Sequence, residues 1–278
     1  MAAEATTLVN GEPATAVSVL DRGFLYGDGL FETIAVYRGA PLLWEQHLAR
    51  LRAGAERLGI PFPSTPLLHR DATRLSAASE RGILKIILTR GVGARGYAPH
   101  DAVAPTRVVT ISAWPDYPGN YASDGVPLNI CETRLGRNRR LAGIKHLNRL
   151  EQVLARSEWN TGYAEGLMLD EDGDVIEGTM SNVFVVRKGA LCTPDLAFCG
   201  VEGIMRAVVI EAARTLGMFC HIGRLTLQDI DAAQELFLTN CLIGVWPVRR
   251  VKKKEYTIGP ITHAIQKAVR AAHGFECN

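Results

Sequence analysis

The chain contains no CxxC pair, and none of its cysteines has companion histidines at metal-ligand spacing. Cys131, Cys192, Cys199, Cys220, Cys241 and Cys277 therefore read as small buried hydrophobes in a reducing compartment, not as a disulfide framework or a metal site. No apolar stretch approaches membrane-spanning length. The opening residues MAAEATTLVNGEP lack a basic start followed by an apolar core, so no signal peptide is expected. These absences lead to the expectation of a cytoplasmic protein with no membrane partner. Net charge is low, +2 over 278 residues, which removes any global pull toward nucleic acid. The one basic cluster, Arg249, Arg250, Lys252, Lys253 and Lys254, has no interleaved aromatics and no wider basic face. A solvated strand end or hairpin explains it. Internal repeats and low-complexity tracts are also missing.

What is present is the balance of an ordinary globular protein, 47% hydrophobic and 22% charged, long enough for one large domain or two modest ones. A short strand over Thr6 to Val9 ends in the turn Asn10-Gly11, and a second over Glu32 to Tyr37 closes at Arg38-Gly39. From Trp44 to Leu58 the apolar positions Leu48, Leu51, Ala55 and Leu58 recur at helical spacing, and Gly59 ends that helix. A further helix is expected over about Leu67 to Ser79, then strands over Gly82 to Thr89 and Arg107 to Ala113. The turn-rich PDYPGNYASDG marks a boundary, giving a smaller N-terminal α/β domain over 1–115, a linker over 116–124 and a larger C-terminal domain over 125–278. The second domain opens with a strand over Val126 to Glu132. A helix over about Leu147 to Trp159 follows, with Leu147, Leu150, Val153 and Leu154 as its apolar face. A strand meander, a helix over Ile204 to Leu216, two more strands and a last helix complete an α+β chain whose strands are mainly antiparallel.

Chemistry could reside at several places. Lys145, in LAGIKHLNRLEQ, is bracketed by Ile144 and Leu147 before a helix start. Burial and the positive end of a helix dipole both favour a neutral amine there, the form a nucleophile or base needs. A lone lysine in such company more often snorkels to water. Glu177, ending the strand before Gly178-Thr179, could face a cationic ring nitrogen, or could be a solvent-facing strand residue. Gly200 and Gly203 precede an apolar helix, where free backbone N–H groups suit a phosphate. Arg50 lies three residues after His47 on one helix face and could clamp a phosphate or sit on the surface. Arg95, on the glycine-rich loop RGVGARGYAPH, could bind a carboxylate, and Thr33 is a candidate buried hydroxyl.

Taken in order, DRGFLYGDGLFET, HLARL, IKHLN, EGTMSNVF and GVEGIMR span nearly the whole chain. The set resembles the fold-type IV pyridoxal-phosphate enzymes, which include branched-chain and D-amino-acid aminotransferases and aminodeoxychorismate lyases. The resemblance implies a two-domain D-amino-acid aminotransferase-like fold, a C-terminal domain that binds pyridoxal 5'-phosphate, and a homodimer with sites near the subunit interface. It further implies that Lys145 holds the cofactor through a Schiff base and that Glu177 keeps its ring nitrogen protonated. Arg50 matches the phosphate-binding arginine, and Gly203 with the Ile204 and Met205 amides matches the phosphate-binding helix start. Asn240, Ser181 and Asn182 are further candidates around the phosphate, and Thr33 is a candidate to assist the lysine. Phe31, Arg95 and Tyr97 are the candidate substrate contacts, Arg95 for a carboxylate.

Finer detail resembles the lyase branch: the run RLGRNRRLAGIKHLNRLEQVLARSEW, the GARGY loop, GIMR, and Phe31 where D-amino-acid aminotransferases carry Tyr. Glu32 departs from it, since FET is common in the aminotransferases. The implied activity is conversion of aminodeoxychorismate to 4-aminobenzoate and pyruvate, a step of folate biosynthesis. Transamination of a D- or branched-chain amino acid is the alternative, and ligand binding without catalysis the remote one.

Overall fold

The computed structural model describes residues 6–99 and 104–273, so the expectation for Cys277 lies outside the described residues. The chain divides into two compact units. One is Met1–Asp116 with Ile144–Asn148; the other is Tyr117–Gly143 with Arg149–Asn278.

The first unit is built on β1 (Thr7–Val9), β2 (Glu12–Pro13), α1 (Arg22–Tyr26), β3 (Gly29–Tyr37), β4 (Ala40–Pro41), α2 (Trp44–Leu58), α3 (Thr65–Ser76), β5 (Arg81–Thr89) and β6 (Thr106–Ala113). Its strands form an antiparallel sheet in the order β2-β1-β6-β5-β3-β4. The turn at Asn10 and Gly11 takes positive φ, 53° and 95°, which matches the Asn-Gly signal. The apolar stripe of α2, Leu48, Leu51 and Ala55, is buried, and Gly54 lets the helix close on Leu30: a Cβ there would stand 3.0 Å from that side chain. Leu68, Ala72 and Leu75 of α3 are buried likewise.

The second unit comprises α4 (Tyr121–Asp124), β7 (Val126–Leu135), α5 (Leu150–Arg156), β8 (Glu165–Asp170), β9 (Val175–Gly178), β10 (Asn182–Arg187), β11 (Ala190–Pro194), α6 (Ile204–Thr215), β12 (Cys220–Gly223), α7 (Leu227–Asp231), β13 (Glu235–Asn240), β14 (Gly244–Val251), β15 (Lys254–Glu255) and α8 (Pro260–His273). The sheet runs β12-β11-β10-β13-β14-β7-β8-β9, with β15 on β14. It is mixed: β11/β12, β14/β7 and β7/β8 are parallel pairs. Fully buried Val, Leu and Trp side chains from β7, β8, β10, β13 and β14 form its core. Phe184 and Phe237, opposite each other on β10 and β13, stack with centroids 5.0 Å apart.

Two expectations need correction. The segment over 116–124 is not a free linker, because Tyr117 and Tyr121 set their rings edge-on to Trp246 at 4.9 and 5.1 Å. Its turn formers bend the chain, but its aromatics belong to the second core. The helix expected from Leu147 forms only over Leu150–Arg156, and the Leu147 N–H donates instead to the Gly29 carbonyl. Its apolar face is not core within the chain: Leu150, Val153 and Leu154 are 68%, 61% and 52% exposed, and Ala155 is the buried position. The basic cluster lies on the exposed β14–β15 hairpin. Cys131, Cys199 and Cys241 are buried, whereas Cys192 and Cys220 are half-buried; burial pushes the thiols of Cys131 and Cys199 up to about 12. No helix among the described residues is long and apolar enough to cross a membrane.

Because the Phe184–Phe237 stack sits inside the second sheet with no solvent exposure, Phe237→Ala should leave a cavity and cost about 4 kcal/mol of stability. Urea titration measures it; a cost below about 1 kcal/mol would mean that the site collapses around the smaller residue.

Candidate active site

In the first unit the start of β3 gains a short partner on its edge. Phe31 N–H donates to the Lys145 carbonyl at 2.9 Å, Leu147 N–H donates to the Gly29 carbonyl at 2.9 Å, and Leu30 faces His146 in an antiparallel bridge. Cross-strand partners point to the same face, so Lys145 emerges beside Phe31, its Nζ 4.5 Å from the ring centroid. Thr33 follows on the same face two residues later, half-buried rather than buried, opposite Lys85 of β5. The Lys85 Nζ lies 5.2 Å from the same Phe31 ring.

Glu32 points to the other face, toward α2, and is 1% exposed. His47 Nδ1 lies 2.7 Å from its Oε2, while Arg50 donates from Nε to Oε1 at 2.9 Å and from Nη2 to Oε2 at 2.5 Å. Burial pushes the Glu32 carboxyl up, but the Arg50 guanidinium and His47 outweigh it and hold the group down to about 2. Arg50 is thus fixed by a buried carboxylate on the α2 side of β3, and Lys145, Phe31 and Thr33 occupy the opposite side. Arg95 and Tyr97 are both exposed on the loop after β5, the Tyr97 ring 5.3 Å from that of Tyr26.

In the second unit Glu177 lies one residue before the end of β9 and is 4% exposed, with the Val201 N–H donating to its Oε2 at 2.8 Å. The loop that supplies this donor is shaped by glycine. Gly200 has φ +85°, and a Cβ there would stand 2.8 Å from Ile176 and 3.3 Å from Glu177 Oε2. Gly203 is the N-cap of α6, and a Cβ on it would meet Asn182 Oδ1 at 1.9 Å. The Asn182 amide donates to the Val201 carbonyl at 2.9 Å, closing the loop onto the start of β10. No side chain caps α6 and no acidic residue occupies its first turn, so the N–H groups around Ile204 and Met205 present the positive end of the helix dipole.

Ser181 and Asn240 are both engaged within the unit. Ser181 donates to Glu165; Asn240 donates to the Met180 carbonyl and accepts from Leu242 and Ile243 N–H. Glu165 has no place among the sequence candidates, yet it organises the turn. At 1% exposure it accepts from Gly166 N–H, Thr179 N–H and hydroxyl, Met180 N–H and the Ser181 hydroxyl at 2.5 to 3.1 Å. A buried carboxylate requires that many donors. Period-2 alternation gives no signal for it, because β8 is buried along its whole length. Arg149, just before α5, is another residue that local reading passes over: burial lowers its pKa, opposed by the charges of Glu177 and Glu151.

Each of the two units, taken by itself, carries groups of the kind that pyridoxal phosphate takes. Lys145 offers an amine beside an aromatic ring, Glu177 a buried carboxylate for a protonated pyridine, and α6 an uncapped helix start for a phosphate.

Comparison with known proteins points the same way. The family described as amino-transferase class IV matches residues 29–251. Aminodeoxychorismate lyase of Vibrio harveyi is 40% identical over 266 residues, covering 93% of this chain and 97% of its own. A putative branched-chain-amino-acid aminotransferase of Methanocaldococcus jannaschii is 33% identical over 267 residues, covering 92% and 91%. The crystal structure of 4-amino-4-deoxychorismate lyase from Pseudomonas aeruginosa superposes with a TM-score of 0.92 at 46% identity, covering 95% of this chain and 98% of that one.

The Glu32 cluster has a measurable signature. Its carboxyl pKa is depressed by folding, so the stabilisation is fully present above about 4.5 and is lost as the pH falls toward about 2. Glu32→Gln should cost about 3 kcal/mol at neutral pH and flatten the acid limb of the stability profile across that window. Urea midpoints measured against pH check both, and an unchanged acid limb would remove Glu32 from the linkage.

Proposed function

Because the chain belongs to the class IV amino-transferase family, we propose that it is a pyridoxal-phosphate-dependent lyase converting 4-amino-4-deoxychorismate to 4-aminobenzoate and pyruvate. The observation that carries this reading is the near-complete, higher-identity match to two lyases of that activity, above the match to the putative aminotransferase.

When bound, pyridoxal phosphate supplies an electron sink for the carbon that bears the substrate amine. Lys145 would hold the cofactor, and its amine is the base that takes the proton from that carbon. The bond from the neighbouring ring carbon to the enolpyruvyl oxygen breaks, and the ring becomes aromatic. Lys145 then returns a proton to the departing enol, which becomes pyruvate, so protons balance without an oxidant. Glu177 would keep the pyridine nitrogen protonated, and the N–H groups of Gly203, Ile204 and Met205 would hold the phosphate; Arg50, the phosphate clamp expected from the sequence, is held by Glu32 on the face of β3 opposite Lys145. Asn240 shapes the adjoining turn, and Thr33 orients Lys145 from the same face of β3. Phe31 lines the amine's surroundings, and Arg95 with Tyr97 receives a substrate carboxylate.

The protein acts in the cytoplasm as a homodimer. Supporting the dimer, Val19, Leu20 and Phe24 of the first unit and Leu150, Val153 and Leu154 of the second are exposed apolar residues that a second copy would cover. Transamination is the second reading, favoured by Glu32 in FET and by the M. jannaschii relative. It requires an amino donor to convert the cofactor to its amine form.

Lys145→Ala should remove the visible absorption of lysine-bound cofactor and slow aminobenzoate formation by about a thousandfold or more. Lys85→Ala, which removes the other ammonium on the Phe31 ring, should retain both properties. Retention of both by the Lys145 variant would place the catalytic amine elsewhere.

A further inference from the structure

Arg22 is 4% exposed, and a buried guanidinium is tolerated only where its donors find partners. Its Nε donates to Asp28 Oδ2 at 2.8 Å. Its other two nitrogens reach along the loop after β5, Nη1 to the Gly96 carbonyl at 2.8 Å and Nη2 to the Tyr97 carbonyl at 2.9 Å. The Arg22 backbone N–H donates to the Gly91 carbonyl, and a Cβ on Gly93 would stand 2.8 Å from Arg22 Cδ. Tyr26 completes the seat: its ring lies 5.0 Å from the guanidinium, and its hydroxyl accepts from Gly96 N–H at 3.3 Å. Within the loop from Gly91 to Tyr97, the Arg22 side chain thus holds the Gly96–Tyr97 end, while backbone bonds from Leu20 to Arg22 hold its start.

The other end of that side chain is anchored. Asp28 is shared with Arg90, which donates from Nε at 2.7 Å and from Nη2 at 3.1 Å. Arg90 also donates to the Leu58 and Gly59 carbonyls, each at 2.7 Å, at the C-terminal end of α2. Burial pushes the Asp28 carboxyl up, but Arg90 and Arg22 together hold it below the usual carboxylate range, so the strut stays charged. Asp28 directly precedes β3, whose first residues pair with the Lys145 segment, and the Asn148 amide donates to the Gly27 carbonyl at 3.1 Å. One short stretch, Gly27 to Phe31, thus fixes both the lysine segment and the foot of the strut.

We propose that Arg22 is a positioning residue: through the Asp28–Arg90 strut it sets the loop that presents Arg95 and Tyr97, and so sets how tightly substrate is held. The assignment rests on Arg95 as the substrate-carboxylate contact. It separates two roles within the first unit, since the strut governs substrate affinity while the lysine segment governs the chemical step. A lysine at position 22 keeps the charge beside Asp28 but cannot span two carbonyls and a carboxylate as a planar fork does.

The test uses the cofactor-loaded enzyme carrying Arg22→Lys. Expected are a KM for aminodeoxychorismate raised about tenfold, a kcat within about twofold of the parent, and unchanged visible absorption of the bound cofactor. Amide hydrogen exchange should accelerate over Gly93 to Tyr97 and stay at the parent rate in α2. Tyr26→Phe, which removes only the hydroxyl that accepts from Gly96, should move both readouts the same way by less, and it decides the matter if the Arg22 variant does not fold. An unaccelerated loop, an accelerated loop with parent KM, or a lower kcat at parent KM overturns the proposal. Arg95→Ala isolates the premise, because an unchanged KM there refutes the carboxylate contact whatever Arg22 does. A parent enzyme that makes no aminobenzoate refutes the lyase reading, and hydrogen exchange still reports on the strut.

Discussion

Two backbone hydrogen bonds, from Phe31 N–H to the Lys145 carbonyl and from Leu147 N–H to the Gly29 carbonyl, decide where the lysine's side chain goes. They make Ile144–Asn148 part of the first unit although its neighbours in sequence belong to the second. Strand alternation does the rest. With this register Lys145 shares a face with Phe31 and Thr33, and Glu32 turns to His47 and Arg50. A slip of one residue would exchange the two sets and put the amine against the buried carboxylate.

Around that register the polar framework is built from buried carboxylates that bind backbone and guanidinium groups. Glu32 fixes Arg50, Asp28 fixes Arg22 and Arg90, Glu165 fixes the turn after β9, and Glu177 takes the Val201 N–H. Each ion removed from water costs several kcal/mol, so each must gather charged or multiple donors to persist. Such clusters hold loops that carry little apolar contact of their own. Gly200 and Gly203 contribute by having no side chain, since a Cβ at either would collide with Ile176 or Asn182. The start of α6 carries no side-chain cap and no acidic residue in its first turn.

Much of the fold is legible in the sequence where a single local rule governs. The stripe Leu48, Leu51, Ala55 gives α2, Asn10-Gly11 gives the first turn, and GILKIILT with RVVTISA gives an antiparallel pair. Legibility fails where one pattern serves two ends. Leu150, Val153 and Leu154 have the spacing of a core face, but that spacing also suits a surface another chain would cover, and within this chain they are exposed. Tyr117 and Tyr121 are hidden among turn formers, and only the position of Trp246 shows that they are core. For the site, Lys145 and Glu177 stand out through the order of five motifs rather than through their surroundings. Arg22 and Glu165 escape because a charged residue in a short helix or a strand reads as solvated, and only tertiary partners reveal it as buried.

The decisive measurement is to supply 4-amino-4-deoxychorismate to the pyridoxal-phosphate-loaded enzyme and quantify both products. Elimination at Lys145 yields 4-aminobenzoate and pyruvate in equal amounts, with no amino donor required and no accumulation of the amine form of the cofactor. Absence of aminobenzoate, or turnover only with an amino donor and a 2-oxo acid, would contradict it.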